Sequence, residues 1–150
     1  VIEVNNQQRE IACQKITRSL NTALRGNKVL SVLGLAFKPN TDDIRESASI
    51  AIIKKLKGAV SLFRCYDPKV ETAARSEFSK LKNVRICKTI ISAARGADAL
   101  FLATEWKEFL DADWKEIQRV MRGNYIIDGR NALDRKKMES LGFVYDGFGV

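Results

Sequence analysis

The stretch 34–47 carries the densest set of side chains that could bind a ligand. It reads GLAFKPNTDDIRES and contains two cations, Lys38 and Arg45, with three acids and several hydroxyl or amide groups. An apolar run typical of a buried strand, 29–33, precedes it, and an apolar-periodic run typical of a helix, 50–56, follows. Loops from strand to helix lie at the carboxyl edge of a parallel sheet, where open α/β folds bind ligands. We therefore expect binding chemistry in this loop.

Further polar residues follow the later predicted strands. If the strands are parallel, these residues share one edge of the sheet with the first loop. Lys38 and Arg130 can then converge on one anion, since lysine is a mobile point charge and arginine a planar fork that matches phosphate or carboxylate. Such an edge suits a nucleotide or a nucleotide-sugar diphosphate. Its other members are Asp67, Thr104, Glu105, Trp106, Asp128 and Asn131.

The same residues also have purely structural interpretations. Lys38 and Arg45 can pair with the acids beside them in exposed ion pairs. Asp128 can hold the turn that follows it through its side chain. Asp67 either starts a turn or contacts a ribose, as acids after a second strand do. Trp106 is predicted to pack rather than to stack on a base.

Several kinds of site are excluded or disfavoured. Gly34 stands without a GxGxxG or GxxxxGK[ST] pattern, so neither a self-contained NAD site nor a P-loop is predicted. Asp42 and Asp43 are compatible with Mg²⁺, but no second acidic cluster accompanies them, and no metal site is predicted. The chain has no histidine, which excludes a histidine-based catalytic triad. Zinc and disulfides are disfavoured because the three cysteines lie far apart, at Cys13, Cys65 and Cys87.

Composition and charge narrow the class of protein. The hydrophobic fraction of 45% and the charged fraction of 29% are those of a globular domain. The net charge is +8, but the 26 cations are spread along the chain among 18 acids without a nucleic-acid-binding signature, so no nucleic-acid partner is predicted. No apolar run approaches the roughly 20 residues that span a bilayer, and the first residues lack the zones of a signal peptide. We therefore expect a cytoplasmic domain without a membrane partner.

Strand and helix patterns alternate from residue 28 onward, which predicts a doubly wound α/β fold with a parallel sheet. The expected strands are 29–33, 60–66, 84–87, 99–103, 125–127 and 143–145, and the helices are 47–57, one in the seventies, 90–95, 114–121 and 134–141. Residues 2–24 carry a helical apolar stripe at Ala12, Ile16, Leu20 and Ala23. This opening helix either connects to another domain or partner, or covers the sheet.

The stretch 34–47 resembles the signature of the C-terminal nucleotide-sugar-binding domain of the UDP-glucose/GDP-mannose dehydrogenase family. Further motifs occur in the family's order, so the resemblance covers essentially the whole chain. They are Val4-Asn5, Gln8, Tyr66-Asp67-Pro68, Thr104-Glu105-Trp106, Asp128-Gly129-Arg130-Asn131 and Gly142-Phe143. Within the family, Pro39-Asn40-Thr41 resembles the UDP-glucose-oxidising members most.

The resemblance implies a Rossmann-like fold and, for a parent enzyme, a two-step NAD-dependent oxidation of UDP-glucose to UDP-glucuronate. By motif position, Phe37 and Lys38 would contact the UDP-sugar, Arg130 its nucleotide portion, and Arg45 an NAD held mainly by another domain. Residues 1–25 would be a connecting helix from a central region, and residues 26–150 the UDP-sugar-binding domain. A homodimer or larger assembly is also implied.

The chain departs from the family pattern in two ways. Ala48 stands where many members have proline, which should loosen the start of a helix slightly. The family's NAD-binding domain and its segment with the nucleophilic cysteine have no counterpart in these 150 residues, which resemble the last third of such an enzyme. We expect no catalytic residue here and no catalysis by this portion alone. Two alternatives stay open: the same domain of a UDP-N-acetylmannosamine or GDP-mannose dehydrogenase, or a free-standing nucleotide-binding or interaction module without redox activity.

Overall fold

The structure, a computed structural model, describes residues 2–21, 26–36 and 47–148. Its strands are β1 (Val29–Leu33), β2 (Leu62–Tyr66), β3 (Val84–Ile86), β4 (Ala99–Leu102), β5 (Tyr125–Asp128) and β6 (Val144–Asp146). All neighbouring pairs are parallel, and the strands lie in the order β3-β2-β1-β4-β5-β6 within one six-stranded sheet. The predicted parallel sheet of six strands is confirmed.

The helices are α1 (Ile2–Asn21), α2 (Ala48–Leu56), α3 (Glu71–Glu77), α4 (Ile90–Ala94), α5 (Lys107–Leu110), α6 (Trp114–Val120) and α7 (Arg135–Ser140). Side-chain oxygens of Ser47, Thr89, Asp113 and Asp134 cap four of them by accepting N–H bonds from the first turn. Helix α5 is a single turn that the sequence patterns did not predict. Among the described helices, none combines the length and the apolar character that crossing a membrane requires.

Strand order determines which face of the sheet each helix covers. Connections between parallel strands are right-handed, so α2 and α3 cover one face, and α4, α6 and α7 cover the other. This leaves β4 and β5 without a connecting helix on the first face. Helix α1 packs there, against α2, β4 and β5. Its buried residues Ala12, Cys13, Ile16 and Leu20 belong to the same core as the sheet. Helix α1 therefore covers the part of the sheet that has no connecting helix on this face.

Two strands start later than predicted for local reasons. Strand β2 begins at Leu62 rather than residue 60, because Val60 N–H still donates to the Leu56 carbonyl at the end of α2 (3.1 Å). Strand β6 begins one residue after the predicted start, because Phe143 N–H donates to the Met138 carbonyl and closes α7 instead (3.1 Å). In both places the backbone N–H is bonded to a carbonyl at the end of a helix, so it is not available to a neighbouring strand.

A partly buried ion pair holds the amino edge of the sheet. Arg122 donates to both carboxylate oxygens of Asp98, from Nε at 2.7 Å and from Nη2 at 2.5 Å. Asp98 also accepts from Val29 N–H (2.8 Å), and Arg122 Nη2 reaches the Asn27 carbonyl (2.9 Å). Burial works against the charge of Asp98, but the bonds from Arg122 and Val29 outweigh it and lower the pKa of the carboxyl. This pair joins the starts of β1 and β4 to the segment before β5.

We predict that Asp98→Asn lowers the free energy of unfolding by about 2 kcal/mol at pH 7, because hydrogen bonds to a charged group are lost. The folded pKa of Asp98 lies below its unfolded value, which is near 3.9. The stabilisation is therefore complete above about pH 4 and is lost as the pH falls through the folded pKa. Urea unfolding at pH 7 and pH 2.5 measures the effect, with the exposed helix-capping Asp113→Asn as control. A difference between wild type and variant that is equal at both pH values would contradict this account.

Candidate functional site

The carboxyl ends of the central strands finish at one level. Leu33 is in register with Tyr66 on one side and with Leu102 on the other, and Leu102 is in register with Asp128. The loops after β1, β2, β4 and β5 therefore leave the sheet side by side. This is the edge at which the sequence predicted binding chemistry.

The loops after β1 and β4 touch at Gly34 and Thr104. Gly34 has φ +102°, and a Cβ built there would lie 2.6 Å from Thr104 Cβ. Its N–H donates to the Tyr66 carbonyl at 2.8 Å, and the buried Thr104 hydroxyl donates to the Ala36 carbonyl at 3.3 Å. The backbone conformation and the close approach both require glycine at this position.

Asp67 joins the loops after β1, β2 and β4. Its side chain is buried, and Oδ2 accepts from the N–H groups of Leu35 (2.7 Å) and Ala36 (3.0 Å). The indole N–H of Trp106 donates to the same oxygen at 3.3 Å, and Lys69 N–H donates to Oδ1 at 2.9 Å. Four donors thus surround the carboxylate, which supports the turn interpretation of Asp67 over the ribose contact. Trp106 is buried, as its predicted packing role requires.

Asp128 organises the loop after β5 in the same manner. The fully buried carboxylate accepts from Arg130 N–H at 3.0 Å and from Leu133 N–H at 2.9 Å. The Tyr145 hydroxyl donates to it at 2.7 Å, which links this loop to β6. Burial and the bond to Asp128 raise the pKa of Tyr145, so the phenol stays a donor. The predicted role of Asp128 in holding its turn is confirmed.

Arg130 leaves this loop and lies across the end of β4. Its Nε donates to the Ala103 carbonyl at 3.0 Å, and the side chain is exposed at the edge of the sheet. The guanidinium is therefore placed next to Thr104, the residue that contacts the start of the loop after β1. Of the four predicted binding residues, Arg130 is the one that lies within the described residues.

The other predicted binding residues, Phe37, Lys38 and Arg45, lie outside the described residues, as do Asp42 and Asp43. Residues 35 and 36 enter that stretch directly from the contacts of Asp67 and Thr104. Among side chains that the structure describes, no group of three or more histidine, cysteine or acidic residues is arranged to hold a metal ion.

Two hydrogen-bonded contacts beside the candidate edge were not predicted from the sequence. The Tyr66 hydroxyl donates to both carboxylate oxygens of Glu108 (2.9 and 3.0 Å), and its ring meets Phe109 edge-on at 6.1 Å. Burial, together with this bond, raises the pKa of Tyr66. Asn131 binds the backbone of Phe148 in both directions, accepting at 2.7 Å and donating at 2.5 Å. Tyr66 and Asn131 stood in recognised motifs, but no local pattern indicated their partners.

The fold and the loops at the carboxyl edge of the sheet together indicate the class of protein. The strand order is that of Rossmann-type nucleotide-binding domains. In these folds the ligand lies at the carboxyl edge, where the strand order reverses. Here the reversal falls between β1 and β4, at the contact of Gly34 with Thr104 and beside Arg130.

A family model described as UDP-glucose/GDP-mannose dehydrogenase family, UDP binding domain, matches residues 31–135. The chain belongs to this family. It is 37% identical to the UDP-glucose 6-dehydrogenase of Drosophila melanogaster over 155 residues, which covers 95% of this chain and 32% of the relative. The UDP-glucose 6-dehydrogenase of Rickettsia conorii is 35% identical over 149 residues, with coverage of 99% and 34%. The chain thus spans about a third of the length of the curated relatives it matches.

Solved structures agree with this assignment. A UDP-glucose dehydrogenase from Pyrobaculum islandicum superposes with a TM-score of 0.76 at 29% identity, over 97% of this chain and 30% of that one. A UDP-D-ManNAc dehydrogenase from Pyrococcus horikoshii gives a TM-score of 0.74 at 30% identity, over 93% and 30%. The family resemblance stated from the sequence motifs is confirmed.

The contact between the first two loops can be tested at Gly34. We predict that Gly34→Ala lowers the free energy of unfolding by about 3 kcal/mol, since a strained φ and a displaced Thr104 add together. Gly96→Ala is the matched control, because Gly96 also has a positive φ (+73°) but open space around its Cα. The control should cost only about 1–2 kcal/mol. Urea unfolding measures both variants, and equal losses would show that the contact with Thr104 contributes nothing.

Proposed function

We propose that this chain is the UDP-sugar-binding domain of an NAD-dependent UDP-glucose 6-dehydrogenase. The parent enzyme would oxidise UDP-glucose to UDP-glucuronate in two steps. The UDP binding domain of the matching family and the names of two relatives support this assignment. The observation that carries it is the position of Arg130 at the strand-order reversal, where Rossmann-type folds bind nucleotides.

Arg130 has the chemistry that a diphosphate needs. Its bond to the Ala103 carbonyl holds the side chain at the edge. A guanidinium presents several N–H donors in one plane and keeps its charge at any physiological pH. In this proposal Arg130 binds the nucleotide portion of the ligand, while Phe37 and Lys38 contact the UDP-sugar from the loop after β1. Lys38 then adds a second cation for the diphosphate.

The cofactor site is proposed to lie mainly in another domain of the parent enzyme. The sequence lacks a glycine fingerprint, and Arg45 is the one residue here that we assign to NAD. NAD, when bound, supplies the hydride acceptor for both oxidation steps. No catalytic residue is proposed in this chain. Residues 1–25 are proposed as the connecting helix from a central region and 26–150 as the binding domain, in a cytoplasmic homodimer or larger assembly.

A second candidate is the same domain of a dehydrogenase acting on another nucleotide sugar. The Pyrococcus horikoshii structure supports this candidate, because that UDP-D-ManNAc dehydrogenase superposes on the chain about as well as the UDP-glucose dehydrogenase does. The GDP-mannose dehydrogenase from Pseudomonas aeruginosa has a TM-score of 0.55 at 22% identity and supports the fold alone. Comparison of nucleotide sugars as ligands separates these candidates.

We predict that the chain binds UDP and UDP-glucose and that Arg130→Ala weakens this binding by about 10- to 100-fold. Loss of charge-assisted hydrogen bonds worth about 1.5–3 kcal/mol corresponds to that factor. Arg119→Ala is the control, because it removes the same charge at an exposed position of α6. Arg119 pairs there with Glu116 at 2.7 Å. Calorimetry of wild type and both variants with UDP, UDP-glucose, UDP-N-acetylmannosamine and GDP-mannose measures the effect.

Several results would count against parts of the proposal. Absence of nucleotide binding at millimolar ligand would contradict the binding function. Equal affinity for GDP-mannose would contradict the uridine assignment, and tighter binding of UDP-N-acetylmannosamine would favour the second candidate. An unchanged affinity in Arg130→Ala, or an equal loss in Arg119→Ala, would contradict the role of Arg130.

A further inference from the structure

Asp67 occupies a position that links three of the four loops at the candidate edge. Its Oδ2 accepts from Leu35 N–H and Ala36 N–H after β1 and from the Trp106 indole after β4. Its Oδ1 accepts from Lys69 N–H, just after β2. Leu35, Ala36 and Trp106 are themselves buried. Water therefore cannot readily replace the carboxylate as their acceptor.

The backbone at Ala36 is held from both sides. Asp67 accepts its N–H at 3.0 Å, and the Thr104 hydroxyl donates to its carbonyl at 3.3 Å. The next residues in the chain are Phe37 and Lys38. One carboxylate and one hydroxyl, both from neighbouring loops, thus hold the backbone of the residue directly before Phe37.

We infer that Asp67 is a positioning residue, which fixes the entry to the ligand-binding loop and the Trp106 loop as one unit without touching the ligand. This inference rests on the proposed function for the identity of the ligand. Its role requires a carboxylate, because both oxygens must accept hydrogen bonds. An asparagine amide can accept on its oxygen but places an NH₂ group where the other oxygen was. If the amide oxygen takes the place of Oδ2, the NH₂ group faces Lys69 N–H, which loses its acceptor. If the amide is turned the other way, the NH₂ group faces the buried N–H groups of Leu35 and Ala36. In either orientation a donor loses its partner, and a neutral amide oxygen is a weaker acceptor than a carboxylate.

The matched control is a buried aspartate at the opposite edge. Asp98 also accepts a backbone N–H, that of Val29, and lies beside neither Arg130 nor the loop after β1. Asp98→Asn therefore tests whether loss of stability alone weakens binding. Both variants are compared with wild type at low temperature, where circular dichroism verifies that each chain is folded.

We expect Asp67→Asn to weaken UDP binding by at least about 10-fold, since displacing a binding group by a fraction of an ångström is costly. Asp98→Asn should leave the affinity within about twofold of wild type. Calorimetry with UDP measures both. A second readout uses Trp106 as a fluorescent reporter in a Trp114→Phe background, because the chain has two tryptophans. Asp67→Asn should shift its emission, and Asp98→Asn should not.

Unchanged UDP affinity in Asp67→Asn, or an equal loss in both variants, would overturn the inference. If Asp67→Asn does not fold, Trp106→Phe replaces it. This change removes one donor to Oδ2 but keeps an aromatic ring, and it should weaken UDP binding several-fold. An unchanged affinity of Trp106→Phe would then overturn the inference.

Failure of the proposed function gives a different pattern. If wild type binds no UDP, the ligand assignment fails, and the positioning role is decided by amide hydrogen exchange. Exchange at Leu35 and Ala36, relative to a core amide of β4, should be at least about tenfold faster in Asp67→Asn and unchanged in Asp98→Asn. Unchanged exchange at both amides in Asp67→Asn would overturn the positioning role itself.

Discussion

Buried carboxylates at the ends of β2 and β5 hold the loops of the candidate edge together. A buried carboxylate is costly unless hydrogen bonds surround it, so each must collect several donors. Asp67 takes donors from three loops, and Asp128 takes them from its own loop and from Tyr145 on β6. The loops cannot move apart without stranding these charges. The geometry around Arg130 and the loop after β1 depends on this constraint.

The two edges of the sheet satisfy their buried acids in different ways. At the amino edge, Asp98 is neutralised by the guanidinium of Arg122. At the carboxyl edge, the donors to Asp67 and Asp128 are backbone N–H groups, an indole and a phenol. The Nε of Arg130 is held there by a carbonyl oxygen. Among the described residues, the donors that surround these two buried carboxylates are thus uncharged groups.

Much of the fold follows from patterns that are local in the sequence. Apolar runs closed by turn residues located all six strands, and the helix expected over 47–57 corresponds to α2, which Ser47 caps at Ile50 N–H. Helix α5 was missed because four residues are too short for a periodic pattern. The place of α1 required the strand order, since only the order shows which face of β4 and β5 lacks a helix.

The site was less predictable, because its hydrogen bonds join residues far apart in the chain. The sequence left two roles open for Asp67, and its donors at Leu35 and Trp106 decided between them. Arg130 was predicted to bind an anion, and its placement depends on the carbonyl of Ala103, the residue that follows β4. The roles of Phe37, Lys38 and Arg45 stay predictions. The family resemblance was recognised from the order of motifs along the chain. This order can be read from the sequence without knowledge of the contacts that each residue makes.

A crystal structure of the chain with UDP bound tests the central claim most directly. The account predicts that the diphosphate lies at the carboxyl edge, between the loops after β1 and β4, with an oxygen within hydrogen-bonding distance of the Arg130 guanidinium. Asp67 should keep its bonds to Leu35, Ala36 and Trp106 and make none to the ligand. UDP bound elsewhere, for example at the amino edge beside Arg122, would contradict the account.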